Sequence, residues 1–232
     1  KSCVVYLALL YSLAYMISAR SANNDIYLTQ SGGATALTLN INQMGNSNIV
    51  GTSAARVSLT GTTMTVDIDQ IGDSNVLAAT VGQGNSTSFT LRSVGDSNSQ
   101  TLALGASGDV QSTDFDFAAT GSSNVLSYVQ GAASTATSGN TDIIVTGASN
   151  DLNIVSEVVS GVNNWDVDGS SNDIDTTQTG NANHSITADI TGSTNNIDID
   201  QTNSTGSTSG IVSITAVTTG GLIDIDQCSS GC

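Results

Sequence analysis

Carboxylates in i, i+2 pairs are the residues of this 232-residue chain whose spacing best suits chemistry: Asp67/Asp69, Asp173/Asp175, Asp198/Asp200 and Asp224/Asp226. A step of two places both members of a pair on the same face of a β-strand. Paired carboxylates suit two tasks, acid–base work on a sugar or the holding of a hard cation. The first task needs company that these pairs lack. Lys1, Arg20, Arg56 and Arg92 are the only basic residues and aromatics make up 4% of the chain, so no basic and aromatic set that could hold a sugar accompanies the pairs, although Arg92 aligns one rung from Asp69. The single histidine, His184, follows the polar run Gly180-Asn181-Ala182-Asn183 and is expected to be a solvated loop side chain. No Gly-x-Ser-x-Gly elbow, phosphate-cradling loop or Cys/His zinc spacing occurs. The chain reads as a non-enzyme.

The second task leaves two readings open. Aligning Gln201 with Gln227 stacks Asp198 over Asp224 and Asp200 over Asp226. These four carboxylates form either a solvated, salt-screened face or a weak Ca²⁺ site, the one cofactor under consideration. Two cysteines near the C-terminus, Cys228 and Cys232, are read either as a small disulfide loop or as free thiols.

Composition says what kind of scaffold must carry these groups. There is no proline, there are 24 glycines, and short aliphatic bursts are separated by Ser, Thr, Asn and Gly. A disordered chain would lack the bursts, and collagen would need regular glycine and proline. The net charge of −16 repels a phosphate backbone, so no nucleic-acid partner is expected. Residues 1–22 begin with Lys1, continue through the apolar run Cys3 to Ile17 and end in small polar residues. That order predicts a secretory signal peptide or, if retained, an apolar helix.

The positioning elements declare themselves by repetition. Gly-x-x-Asn recurs with Gly45/Asn48, Gly72/Asn75, Gly95/Asn98, Gly121/Asn124, Gly147/Asn150, Gly169/Asn172 and Gly192/Asn195, in steps of 22 to 27 residues. Alternating apolar residues flank each copy, as in Leu39-Ile41-Gln43, Val66-Ile68-Gln70 and Ile197-Ile199-Gln201, the period of a strand with one buried face. The expected unit is strand, tight turn, strand. The glycine is expected to supply a left-handed turn that the asparagine also tolerates. One arch cannot bury its apolar face, but stacked arches can. The fold class is therefore all-β: a single β-solenoid of about eight rungs over residues 23–228, preceded by the apolar segment and followed by a tail at 229–232. Gln30, Gln43, Gln70, Gln130, Gln178, Gln201 and Gln227 fall at inward positions and are expected to form amide ladders.

Two full repeats, Leu39-Asn40-Ile41-Asn42-Gln43-Met44-Gly45-Asn46-Ser47-Asn48 and Val66-Asp67-Ile68-Asp69-Gln70-Ile71-Gly72-Asp73-Ser74-Asn75, resemble the curlin-repeat family. Ile197-Asp198-Ile199-Asp200-Gln201 is similar to the returning half of that repeat. Ala119, Val145 and Val167 depart from it in the slot of the first Gln. The resemblance implies a secreted protein whose copies assemble into an amyloid-like fibre, with a place in adhesion or biofilm matrix. Its partners would be copies of itself and a host-cell or matrix polysaccharide surface. A bacteriophage virion fibre or decoration protein is the alternative setting, and a polysaccharide-binding β-helix a third.

Overall fold

The computed structural model describes residues 3–8, 13–20, 23–31, 35–51, 57–82, 85–105, 112–131, 136–180, 184–203 and 210–229. Strands β1 (Cys3–Ala8) and β2 (Leu13–Arg20) precede β3 (Asn23–Ser31), β4 (Leu37–Met44), β5 (Ser47–Val50) and β6 (Val57–Leu59). Then come β7 (Thr63–Ile71), β8 (Ser74–Val81), β9 (Ser86–Val94), β10 (Ser97–Leu104), β11 (Ser112–Thr120) and β12 (Ser123–Gln130). The last are β13 (Ala136–Thr146), β14 (Ser149–Asp168), β15 (Ser171–Gly180), β16 (His184–Asn203) and β17 (Ile211–Ser229).

Each strand pairs in parallel with its counterpart one repeat away. On one side β4, β7, β9, β11 and β13 follow one another, and on the other β8, β10, β12 and β14. Register is kept by matching residues, Gln43 opposite Gln70 and Asn98 opposite Asn124. Strands β14, β16 and β17 are long because each runs through a corner and supplies both sides of an arch. The result is a parallel β-solenoid in which seven arches carry the Gly-x-x-Asn turn.

The period-2 alternation becomes a closed core. Leu39, Val66, Phe89 and Phe115 stack in one column, and Leu126, Leu152, Ile174 and Ile197 in the facing one, all buried. Phe115 stacks on Tyr128 across the interior with ring centroids 4.4 Å apart, and Phe89 meets Phe115 edge-on at 6.1 Å. These aromatic contacts fill the rungs where the inward Gln is replaced by Ser93 and Ala119. Trp165 also faces inward, 3% exposed.

The turn glycines serve a different purpose from the one expected. Among the seven, only Gly45 has a positive φ, at 155°, close to extended backbone. What the others lack is room. A Cβ on Gly72 would fall onto the carbonyl oxygen of Gly45 and lie 2.7 Å from Asn48 Nδ2. The asparagines are not left-handed turn residues either; Asn48, Asn75 and Asn98 sit inside strands with their amides buried. True left-handed positions come at the far end of the arch, at Gly105 (φ 75°) and Gly131 (φ 81°).

The N-terminal segment also differs from expectation. Its described residues form β1 and β2, which pair with β3 and β4, and not a helix. Val4, Val5, Tyr6, Tyr15 and Ile17 favour extended backbone, and the edges of β3 and β4 offer a template for it. Strand β17 extends through Ser229, while residues 230–232 lie outside the described residues. Cys228 is disulfide-bonded, and Cys232 is among those undescribed residues.

Candidate assembly edge and acidic faces

Stacked asparagines bind each rung to the next. Asn48 Nδ2 donates to Asn75 Oδ1 at 2.8 Å, Asn75 to Asn98 at 2.6 Å and Asn98 to Asn124 at 2.6 Å. The series continues from Asn124 to Asn150 and Asn150 to Asn172, each 2.8 Å, and from Asn172 to Asn195 at 2.9 Å. The same Nδ2 atoms of Asn98, Asn124, Asn150 and Asn172 also reach the carbonyl before the glycine of the next rung, at 3.1–3.2 Å. This column is buried and unbroken across all seven turns. It stops at Asn195, whose Nδ2 has no partner because the residue in register below is Gly221.

The glutamines form shorter columns. Gln70 Nε2 donates to Gln43 Oε1 at 3.0 Å, Gln201 to Gln178 at 2.8 Å and Gln227 to Gln201 at 2.7 Å. Gln30 and Gln130 stand apart from these. Gln30 Oε1 accepts from Thr60 N at 2.7 Å, while Gln130 donates to Thr113 Oγ1 and accepts from Ser156 Oγ at 3.2 Å. Leu59, Val81 and Leu104 occupy the intervening slots between Gln30 and Gln130. A ladder needs an amide on adjacent rungs, so those two are structural neighbours of other groups.

The acidic register falls where alignment of the glutamines placed it: Asp198 opposite Asp224 and Asp200 opposite Asp226. Asp175 extends the Asp198 column upward. The four do not converge as a ligand set. Among the described residues, the three acidic side chains whose oxygens lie within 4.8 Å of one another are Asp114, Asp116 and Asp142. Arg92 does stand beside Asp69, 3.9 Å away and exposed, a pair of small energetic weight.

Asp198 is held above the ordinary carboxylate range by desolvation on the sheet and by Asp200, Asp224, Asp175 and Asp226. A carboxyl whose folded pKa is raised contributes stability that is fully present below 3.8 and lost as pH rises through the raised value. Asp198→Asn should therefore raise the melting temperature at neutral pH in low salt. The gain should shrink when salt brings the screening length near 3 Å, roughly 1 M. Melting curves of parent and variant at two salt concentrations check this.

The Asp114 group was not singled out in the sequence because its third member lies a whole rung away. Asn140 Nδ2 donates to Asp114 Oδ1 at 3.0 Å and to Asp142 Oδ2 at 3.1 Å, and Asn164 Nδ2 donates to Asp142 Oδ1 at 2.7 Å. Desolvation, with Asp114 and Asp142 close by, raises the pKa of Asp116. Beside it a groove of about 670 Å³ runs across β9, β11, β13, β14, β16 and β17, with Arg92, Asp116, Asp142, Asn164 and Asp166 on its walls. Ile144, 56% exposed, adds an apolar patch to its lining.

His184 departs from the expected solvated loop. It opens β16 in register with Gly161, and this places the imidazole in the core at 1% exposure with neither ring nitrogen hydrogen-bonded. Burial lowers its pKa below 6.5. A histidine with a depressed folded pKa contributes stability above 6.5 that is lost as pH falls through the folded value. His184→Leu should be more stable than the parent, with the gap between their melting temperatures widening from about pH 8 to about pH 5. Equal gaps at the two values would contradict this.

Strand β17 ends the described stack with one side unpaired: it bonds to β16 and to no other described strand. Its inward residues are left at the surface. Ile223 is 43% and Ile225 40% exposed, whereas Ile197 and Ile199, one rung above, are fully buried. Val212 and Ile214 on the other half of β17 are only partly covered. No family model, curated protein or solved structure matches the chain. The chain's β-solenoid fold is of a kind consistent with fibrous proteins, and among the described residues the outer edge of β17 carries an uncovered apolar row.

Proposed function

We propose that this chain is a structural subunit that joins end to end with copies of itself into a thin extracellular fibre, the role implied by its resemblance to curlin repeats. The single observation that carries the reading is the outer edge of β17, unpaired among the described residues. There, backbone groups lack a strand partner and the inward-facing Ile223 and Ile225 are left partly exposed. An unpaired strand edge with an apolar row invites another strand. Completing the burial of one aliphatic side chain that is already half covered contributes about 1 kcal/mol, and β17 has several. Charge favours the same geometry. Carboxylates stand on the outer faces and repel side-by-side contact, while the inward row of β17 is uncharged. The disulfide at Cys228 supports an oxidising, extracellular compartment.

Sedimentation and electron microscopy of the purified protein over a concentration series test this. The parent should form unbranched filaments above a threshold concentration. Ile214→Lys with Ile225→Lys should abolish them while leaving the circular dichroism of the monomer unchanged, because both positions are already partly solvated. A parent that stays monomeric at every concentration, both whole and with residues 1–22 cut away, ends the proposal.

A second reading rests on the groove along β9 to β17. Its largely apolar floor, edged by Asp116, Asp142 and Asn164 and running across six strands, suits the C–H faces and hydroxyls of an extended polysaccharide, giving the fibre an adhesive face. Asp142→Ala with Asn164→Ala should weaken retention on an immobilised polysaccharide panel without affecting filament formation.

A further inference from the structure

Which edge receives the bare C-terminal rung can be read from the columns of the stack. The column that ends in Ile223 contains Ile197, Ile174, Leu152 and Leu126, and begins, among residues with described side chains, at Ile26. The column ending in Ile225 passes through Ile199 and Tyr128, and Leu28 heads it. On the other half of the arch, Val212 and Ile214 continue the columns of Leu39 and Ile41. Gln227 continues the column of Gln30.

If a second copy's β3 and β4 lay on β17 in the same register, every inward position would meet its own kind. Ile26 would cover Ile223, Leu28 would cover Ile225, Leu39 and Ile41 would cover Val212 and Ile214, and Gln30 would face Gln227. Gln227 already uses its Nε2 on Gln201, so it brings an acceptor to the joint, where the in-register residue is again a glutamine. On the outer face, Tyr27 and Thr29 would face Asp224 and Asp226, so no carboxylate meets a carboxylate there. Inside the chain, by contrast, Asp198 faces Asp224 and Asp200 faces Asp226.

In the chain itself that edge is occupied. β1 pairs with β3 from Cys3↔Ile26 to Ala8↔Ser31, and β2 pairs with β4 from Leu13↔Leu37 to Arg20↔Met44. The residues in register with Gln30 and Gln43 are Leu7 and Ala19, neither of which carries an amide. We infer that β1 and β2 are an in-chain occupant of the assembly edge, and that β17 of a second copy takes their place on β3 and β4 when they leave. This rests on the end-to-end reading above and gives it a control point. A strand tethered by two residues acts at an effective concentration in the millimolar range, so it excludes second copies present at micromolar concentration. Once the tether is cut that advantage disappears, and the incoming strand adds a glutamine contact that Leu7 does not offer.

The test starts from the full chain with a site-specific protease sequence placed at Ser21-Ala22, between β2 and β3. Filament growth is followed by light scattering and sedimentation at micromolar concentration before and after the cut, with circular dichroism confirming that the stack persists. At these micromolar concentrations, below its own filament threshold, the uncut chain should remain monomeric, and the cut chain should elongate at least tenfold faster. A synthetic peptide of residues 1–22 in millimolar excess should suppress that growth. Gln227→Leu in the cut chain should slow elongation severalfold, and a melting curve of the monomer measures separately the loss of its bond to Gln201. Equal growth of cut and uncut chains overturns the inference while leaving end-to-end assembly intact, as does unchanged growth with Gln227→Leu. If neither cut nor uncut chain assembles, the fibre reading itself falls.

Discussion

Gly95→Ala is expected to destabilise the protein by about 3 kcal/mol or more, and Gly220→Ala hardly at all. The difference lies in what surrounds each Cα. A Cβ at Gly95 would land on the carbonyl oxygen of Gly72, 2.9 Å from its carbonyl carbon and 2.8 Å from Asn75 Nδ2. Those atoms are held by their own rung, since Gly72 N donates to Val94 O at 2.9 Å and Asn75 Nδ2 to Asn98. Relief would require the two rungs to separate, and a stack has no slack along its axis. At Gly220 the nearest heavy atom to an added Cβ is Ser193 O at 3.7 Å, an ordinary contact. Thermal melts should show a fall of about 10 °C for the first substitution and about 1 °C or less for the second. Comparable effects at the two sites would mean that the turn glycines are chosen for backbone conformation after all.

Asn98→Leu is the second large effect, about 4 kcal/mol. The asparagine accepts from Asn75 and donates to both Asn124 Oδ1 and Thr120 O. Its removal leaves a donor on Asn75 and an acceptor on Asn124 in a dry interior, each costing about 1–3 kcal/mol. Asn195→Leu is the matched control. Asn195 Nδ2 has no partner, and Asn172 keeps its bond to Thr191 O at 3.1 Å when Asn195 is lost. Its loss should cost less than half as much. Denaturant unfolding of the two variants against the parent measures the ratio.

These contrasts mark how far the sequence could be read. The inward trios such as Val66-Ile68-Gln70 were legible because a strand with one buried face must alternate, and identical strands can stack only in phase. The register of Asp198 with Asp224 followed from the same rule. Spacing says where a glycine recurs but not why. A left-handed turn and a lack of room for Cβ leave the same letter, and only the carbonyl of Gly45 lying against Gly72 distinguishes them. His184 looked solvated because its preceding residues are small and polar, yet strand β16 begins at the histidine itself and the register turns its ring inward. The Asp114, Asp116 and Asp142 group was hidden for the complementary reason. Two of its members are neighbours in sequence, and the third arrives only through stacking.

The direction of the side-chain hydrogen bonds has an electrical consequence. In the turn column the asparagine amides donate toward the later rung, as Asn124 does to Asn150, whereas the glutamine-to-glutamine bonds run toward the earlier one, as from Gln227 to Gln201. Aligned amide dipoles add, which gives an α-helix its macrodipole, and a column of one kind alone would grow a larger moment with every rung. Here two short glutamine columns oppose the longer asparagine column, and sheet backbones contribute little net moment. The glutamine bonds are fewer than the asparagine bonds, so the cancellation is partial. Lengthening the stack, by repeats within a chain or by further chains, therefore builds up less polarisation along its axis than the asparagine column alone would give.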